Sequence, residues 1–174
     1  ATKVIELVNR SHCSGTVIKE HFVLAAAHCT PENTKLKVDG HEAFLLKTDK
    51  VNDLSLLFVN VSCPCISVAE QDPYVDQSVY IVGYPLNWGV QFLTEGRVQG
   101  LMIVEEVKEM LTVSVPSTFG NSGGGMFILQ KGKWVLTSTV SGGALTEFYG
   151  FPVVVGHMTA GPSPKSIREF LKDV

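Results

Sequence analysis

Two apolar runs, Thr16-Val17-Ile18 and Phe22-Val23-Leu24-Ala25-Ala26, stand on either side of Lys19-Glu20-His21. They read as neighbouring strands, and the pattern they set is repeated along the whole chain. Val4–Val8, Lys35–Val38, Ala43–Lys47 and Leu54–Val59 complete a first set of about six strand candidates. A second set comprises Val79–Val82, Arg97–Ile103, Leu111–Val115, Gly125–Leu129, Trp134–Val140 and Val153–Met158. Gly, Pro, Asn and Asp separate the runs. Period-2 alternation, β-branched enrichment and spacings of ~8–12 residues argue for a β-sandwich or barrel, not a parallel sheet with crossover helices. The fold class is all-β, in two halves. The expected organisation is an N-terminal half over 1–62, a connector over 63–78 containing Pro64 and Pro73, a C-terminal half over 79–162 and a helix over 163–174.

The helix follows from Ser163 as N-cap, Pro164 in the first helical position, and Ile167, Phe170, Leu171 and Val174 on one apolar stripe. A chain of 174 residues with 45% hydrophobic and 18% charged residues has ample material for a core and is not a disordered chain. A formal net charge of −3 gives no reason to expect nucleic acid or an anionic membrane as partner. No apolar stretch approaches the ~18–20 residues of a membrane span. The first residues lack the apolar segment of a signal peptide, which leaves an intracellular chain or one whose leader was removed before Ala1.

Three segments carry chemistry. Phe119-Gly120-Asn121-Ser122-Gly123-Gly124-Gly125 surrounds a serine with glycines, which let the backbone turn sharply and aim N–H groups at one point. A serine hydroxyl is a poor nucleophile until a base takes its proton and donors meet the oxyanion. Alone, such a segment is more often a turn or bulge than a nucleophile. Phe22 to Cys29 is an apolar strand ending abruptly in His28, and Asn52-Asp53-Leu54-Ser55-Leu56 places an aspartate at the opening of another strand. Each residue taken singly has an ordinary structural explanation. In the order His, Asp, Ser, they form a set able to pass a proton and orient the imidazole that passes it.

The strings Ala26-Ala27-His28-Cys29, Asn52-Asp53-Leu54-Ser55-Leu56 and Gly120-Asn121-Ser122-Gly123-Gly124 resemble the chymotrypsin-like (trypsin fold) serine endopeptidases. The resemblance covers nearly the whole chain. It implies two six-stranded antiparallel β-barrels with the site in the cleft between them, followed by a C-terminal α-helix. It implies Ser122 as nucleophile, His28 as general base and then acid, Asp53 as its orienter, and the Gly120 and Ser122 N–H groups as oxyanion hole. It places Pro116, Ser117, Thr118, Phe119, Thr139, Val140, Ser141, Gly142, Gly143 and Val153 around the substrate, with Ser141 near Asp53. The pocket residues include nothing acidic, which argues against a Lys or Arg preference and for small or apolar side chains. Where many relatives carry a histidine that recognises Gln or Glu, this chain has Thr139; His157 is a distant substitute or a surface residue.

Activation by an inserted N-terminus is not expected, because the position that would pair with it is the uncharged Asn121. The Gly-Asn-Ser-Gly-Gly string and the short length are more similar to HtrA-type and compact viral processing proteases, and no PDZ-like extension is expected after the helix. The resemblance also implies a Cys13–Cys29 disulfide, with a reduced buried pair as the alternative. If it forms, the compartment is secretory or periplasmic; a viral processing protease would instead work in the host cytoplasm. Cys63-Pro64-Cys65 resembles part of a zinc site, but only His157 remains as a further ligand after Ser122, so an unliganded pair is expected and no metal or other cofactor. Asn9-Arg10-Ser11 and Asn60-Val61-Ser62 are glycosylation sequons that matter only in a secreting eukaryote. The expected partner is a protein or polyprotein substrate. The rival readings are an inactive double-barrel binding module, an esterase, and, weakest, a cysteine hydrolase using Cys63 or Cys65.

Overall fold

The computed structural model describes residues 2–7, 12–105, 108–116, 118 and 120–174. Six strands, β1 (Thr2–Leu7), β2 (His12–Lys19), β3 (Phe22–Ala25), β4 (Leu36–Val38), β5 (His41–Asp49) and β6 (Leu54–Val59), close a barrel in the order β1-β2-β3-β6-β5-β4. The pairing of Ile5 with Val38 joins its two ends. β2 and β3 form a hairpin whose turn, Glu20-His21, uses a left-handed backbone at His21 (φ 69°).

The unbroken apolar runs of β3 and β6 have a simple cause: both faces of these strands are buried. Val23, Ala25, Leu57 and Val59 point into the barrel core with Ile5, Val17 and Val38. Leu24, Leu54 and Leu56 point outward, onto a second apolar cluster with Leu136, Ile167 and Phe170. Alternate side chains thus serve two cores, as the period of 2 requires.

The C-terminal half is built from β7 (Ser78–Gly83), β8 (Phe92–Val104), β9 (Lys108–Val113), β10 (Gly125–Gln130), β11 (Lys133–Thr139), β12 (Gly142–Phe148) and β13 (Phe151–Pro162). Its order, β11-β10-β7-β8-β9-β13-β12, has one strand more than the expected six. β12 is the addition: the strand candidates pass from Trp134–Val140 to Val153–Met158, yet the segment between them pairs along β13 from Gly142↔Ala160 to Phe148↔Phe151. β11 and β12 are two halves of one path, broken at Val140-Ser141. There the Val140 N–H donates to the Gly124 carbonyl (2.9 Å) on one edge and the Ser141 N–H to the Ala160 carbonyl (2.9 Å) on the other. The sheet edges therefore meet at this point, giving the double-barrel architecture. Val79, Ile81, Val98, Leu111, Val113, Met126, Ile128 and Val140 form its core.

The connector laces the halves together. The Ile66 N–H donates to Val17, Leu136 to Ser67 and Ala69 to Leu136. The structure joins Cys63 to Cys65 in a disulfide, a redox state the sequence left open. Among the described residues no group of three or more His, Cys, Asp or Glu side chains could hold a metal ion, and no helix is long and apolar enough to cross a membrane.

The helix α1 spans Pro164–Leu171, capped by Ser163, whose hydroxyl accepts the Ser166 N–H at 3.2 Å. It ends earlier than the apolar stripe predicts: Lys172 is the C-cap, and Val174 lies beyond it, 39% exposed, with no core to enter. The Lys47 ammonium donates to the Phe170 carbonyl (2.6 Å) near the helix end, where a cation is favoured. Replacing the cap, Ser163→Ala, is expected to cost about 1 kcal/mol, a fall in melting temperature of roughly 2–4 °C for a domain of this size, read by circular dichroism.

Candidate active site

The register of β3 against β6 creates the first half of the site. Ala25 pairs with Ser55 and Leu24 with Leu56. Carried two residues further, the same ladder sets the Ala27 N–H on the Asp53 carbonyl (3.2 Å). A single 3₁₀ turn, Ala27–Cys29, then buries Cys29 and turns His28 outward. Asp53 holds His28 twice: Oδ1 accepts the His28 main-chain N–H at 2.9 Å, and Oδ2 lies 2.8 Å from Nδ1. Asp53 takes this position from a left-handed backbone (φ 55°), which a short polar residue tolerates better than most. Ser55, one register step away, donates its hydroxyl to the Ala26 carbonyl at 3.3 Å.

This bond decides the electrostatics. An acceptor at Nδ1 favours the neutral tautomer that carries its proton there, leaving Nε2 with a lone pair. The His28 side chain is 48% exposed and that of Asp53 15%. The hydrogen bond to Asp53 raises the His28 pKa above the ordinary 6.5; partial burial opposes it and the carboxylate charge adds to it. For Asp53, burial alone would raise the pKa, but the bonds from the His28 ring and main chain, together with the imidazolium charge, outweigh it and hold the carboxyl below its usual value. Ser141 faces Asp53 and adds a smaller lowering, although its buried Oγ makes no hydrogen bond of ordinary geometry.

Ser122 sits in a loop defined by backbone bonds. The Asn121 N–H donates to Thr118 (3.1 Å), Gly124 to Asn121 (2.8 Å), Gly123 to Val140 (2.7 Å), and Ser14 on β2 to the Ser122 carbonyl (2.8 Å). Gly120 and Gly123 both have positive φ, 94° and 80°. A side chain at Gly120 would strike the Tyr84 carbonyl, and one at Gly123 the Ser14 carbonyl and the Ala26 N–H. Only glycine lets the Ser122 loop come this close to the strand that leads to His28. Cys13 and Cys29 are joined by a disulfide, Cα atoms 6.2 Å apart, which fastens the 3₁₀ turn to β2 beside the same loop. The Cys29 sulfur stands 3.9 Å from the Ser122 carbonyl oxygen.

Of the other residues expected around a substrate, Thr139 and Val140 are fully buried, Val140 within the second barrel's core. Pro116, Thr118 and Gly143 are exposed, Val153 is 43% exposed, and Ser141 and Gly142 are half-buried. Ser117, Phe119 and the sequon Asn9-Arg10-Ser11 lie outside the described residues. His157 is exposed, in a bulge of β13 with φ 56°. A cleft of about 290 Å³ opens beside His28, lined by Thr30, Pro31, Glu32, Thr48 and Lys50 among others. Sequence reading missed this cleft, because its walls come from two segments apart in the chain, 27–32 and 48–50. It also missed Ser14 and Tyr84, whose roles exist only across the barrel seam.

Because the folded pKa of His28 is raised, its stabilising pairing with Asp53 is complete below the ordinary imidazole value and fades as pH rises through the folded one. The Asp53 contribution has the opposite sense, present above the ordinary carboxylate value and lost as pH falls through its lowered one. The His28 ring proton, followed by NMR, is expected to titrate above 6.5. In Asp53→Asn it should fall back; an unmoved midpoint would show that Asp53 is not the cause.

Comparisons follow from this geometry. The model of the trypsin-like peptidase domain matches residues 13–135, which contain His28, Asp53 and Ser122. No curated protein sequence matches the chain. Among solved structures, an inactive form of Rv3671c from M. tuberculosis H37Rv superposes with a TM-score of 0.80 at 18% identity, covering 99% of this chain and 85% of that one. The HtrA-type protease AlgW, with a bound tripeptide, gives 0.77 at 18%, covering 99% and 59%. The serine endoprotease of Yersinia pestis gives 0.72 at 19%, covering 99% and 63%. At these identities the structural likeness speaks for the fold alone, and the family match for the activity. The chain belongs to the trypsin-like peptidase domain family and is a serine peptidase.

Proposed function

We propose that this protein is an endopeptidase working through an acyl-enzyme on Ser122. The observation that carries the reading is the Asp53–His28 pair at 2.8 Å, on the barrel wall against which the glycine loop of Ser122 is packed. With Nδ1 engaged by Asp53, His28 presents Nε2 as the base for the Ser122 hydroxyl. Oγ attacks the peptide carbonyl, and its proton passes to Nε2. The Gly120 and Ser122 N–H groups receive the charge that develops on the carbonyl oxygen. The imidazolium, stabilised by Asp53, then protonates the leaving amine. Water, activated by the same nitrogen, hydrolyses the ester. The sequence needs no metal or organic cofactor.

The substrate is a protein cut at a limited number of sites, as in polyprotein processing or quality control. The pocket residues Pro116, Ser117, Thr118, Phe119, Thr139, Val140, Ser141, Gly142, Gly143 and Val153 offer no carboxylate to a buried cation, which supports a small or apolar side chain before the cut bond. The cleft beside His28, bordered by the Glu32–Lys50 ion pair (3.6 Å), offers polar walls to a neighbouring substrate residue. Two disulfides fit an oxidising compartment, secretory or periplasmic. We read the chain as the units 1–62, 63–78, 79–162 and 163–174, with His28 and Asp53 in the first and Ser122 in the third.

The test is labelling with a fluorophosphonate followed by intact mass, with wild type beside Ser122→Ala and His28→Ala. One adduct is expected on wild type, none on Ser122→Ala, and much slower capture by His28→Ala. Peptide hydrolysis by Ser122→Ala should fall by on the order of 10⁴-fold or more, since nucleophile and base act as a unit. A folded wild type that takes no label would move the binding-module reading to the front. A peptide library on active enzyme is expected to favour small or apolar residues before the cleaved bond; a Lys or Arg preference would overturn the pocket assignment.

A further inference from the structure

Ser14 is fully buried on β2, at the seam where the first barrel meets the Ser122 loop. Its N–H holds the Ser122 carbonyl at 2.8 Å. Its hydroxyl makes two more bonds, donating to the Gly120 carbonyl (2.8 Å) and accepting the Tyr84 N–H (2.9 Å). The directions admit no exchange: a carbonyl can only accept and an amide N–H only donate. One side chain thus joins β2, the turn after β7, and the residue two before Ser122. Glycine at position 83 leaves room beside it: a Cβ there would lie 2.5 Å from Asn121 Oδ1 and 3.1 Å from Ser14 Oγ.

Resting on the acyl-enzyme reading above, we infer that Ser14 is a positioning residue for acyl transfer, its hydroxyl locking the Gly120–Asn121 peptide so that the oxyanion donors keep their aim. Gly120 is the weak point of the loop, because glycine has access to both signs of φ and the residue sits at +94°. Without the hydroxyl, the buried Gly120 carbonyl and the N–H of half-buried Tyr84 would lose this partner. The peptide would then turn toward whatever partner it finds. Ser14 does not touch the reacting atoms. Its loss acts on the transition state, where the oxyanion exists, and leaves side-chain subsites intact.

The experiment compares wild type, Ser14→Ala, Ser14→Cys and Ser163→Ala, the last as a control that weakens a remote helix cap. Melting temperature, kcat and KM on a p-nitrophenyl ester, and the pH profile of fluorophosphonate capture are measured for each. Ser14→Ala is expected to lower the kcat and the capture plateau by about 10- to 100-fold, short of the 10²–10³ seen when an oxyanion donor itself is removed. KM should stay within about threefold, because ground-state contacts are untouched, and the acid limb should not move, because His28 and Asp53 remain paired. Ser14→Cys, which keeps a weak donor, should fall between, and Ser163→Ala should lose stability with kcat unchanged.

A Ser14→Ala enzyme that melts earlier but keeps wild-type kcat would overturn the inference. So would a loss confined to KM or a shifted acid limb. Should Ser14→Ala fail to fold, Ser14→Cys decides alone, and full kcat in it would overturn the inference. Wild type that takes no label at Ser122 would instead sink the acyl-enzyme reading, and the role of Ser14 with it.

Discussion

Everything at the site depends on the register between β3 and β6. Ala25 opposite Ser55 is an ordinary rung of an antiparallel ladder, yet two steps beyond it the ladder delivers His28 to Asp53. A slip of one residue would turn every side chain of β6 to the other face. Leu57 and Val59 would leave the barrel core for the interface, and Leu54 and Leu56 would do the reverse. Both cores oppose that slip. The His28–Asp53 pair is therefore fixed by apolar packing on two sides of one strand pair, although neither of its members is apolar.

The second barrel reaches the same point by a different constraint. Its sheet closes where β11 gives way to β12, and there Val140 bonds Gly123 and Gly124 of the Ser122 loop while Ser141 bonds Ala160. Barrel closure and placement of the Ser122 loop are thus one structural event. Ser14 then connects that loop to the first barrel, and the Cys13–Cys29 bond beside it ties the same strand to the turn bearing His28. Two bodies with separate cores are held in register at their seam by a few polar bonds and by the apolar cluster they share, where a small displacement would separate the Ser122 loop from His28.

The third apolar cluster explains the terminal helix. Ile167 and Phe170 complete a core begun by Leu24, Leu54, Leu56 and Leu136. The helix covers the outer face of the strands that carry the His28–Asp53 pair, and Lys47 secures its end. Where that core ends the helix ends, and Val174 is left in solvent.

The sequence by itself determined the strand pattern, the helix and its cap, and the three residues of the candidate triad. These signals are local: alternation, a capping serine, and strings whose residue types suit one chemistry. It did not disclose β12 as a strand of its own, because the pairing that makes it one is supplied only by β13. Nor did it disclose the Cys63–Cys65 bond. Ser14 was invisible for a deeper reason. Its neighbours are 70 and 106 residues away, and a serine between a cysteine and a glycine has no pattern of its own. Local chemistry can be read from side chains in order, but a bond between distant backbone groups exists only after both barrels have closed and brought those groups within reach.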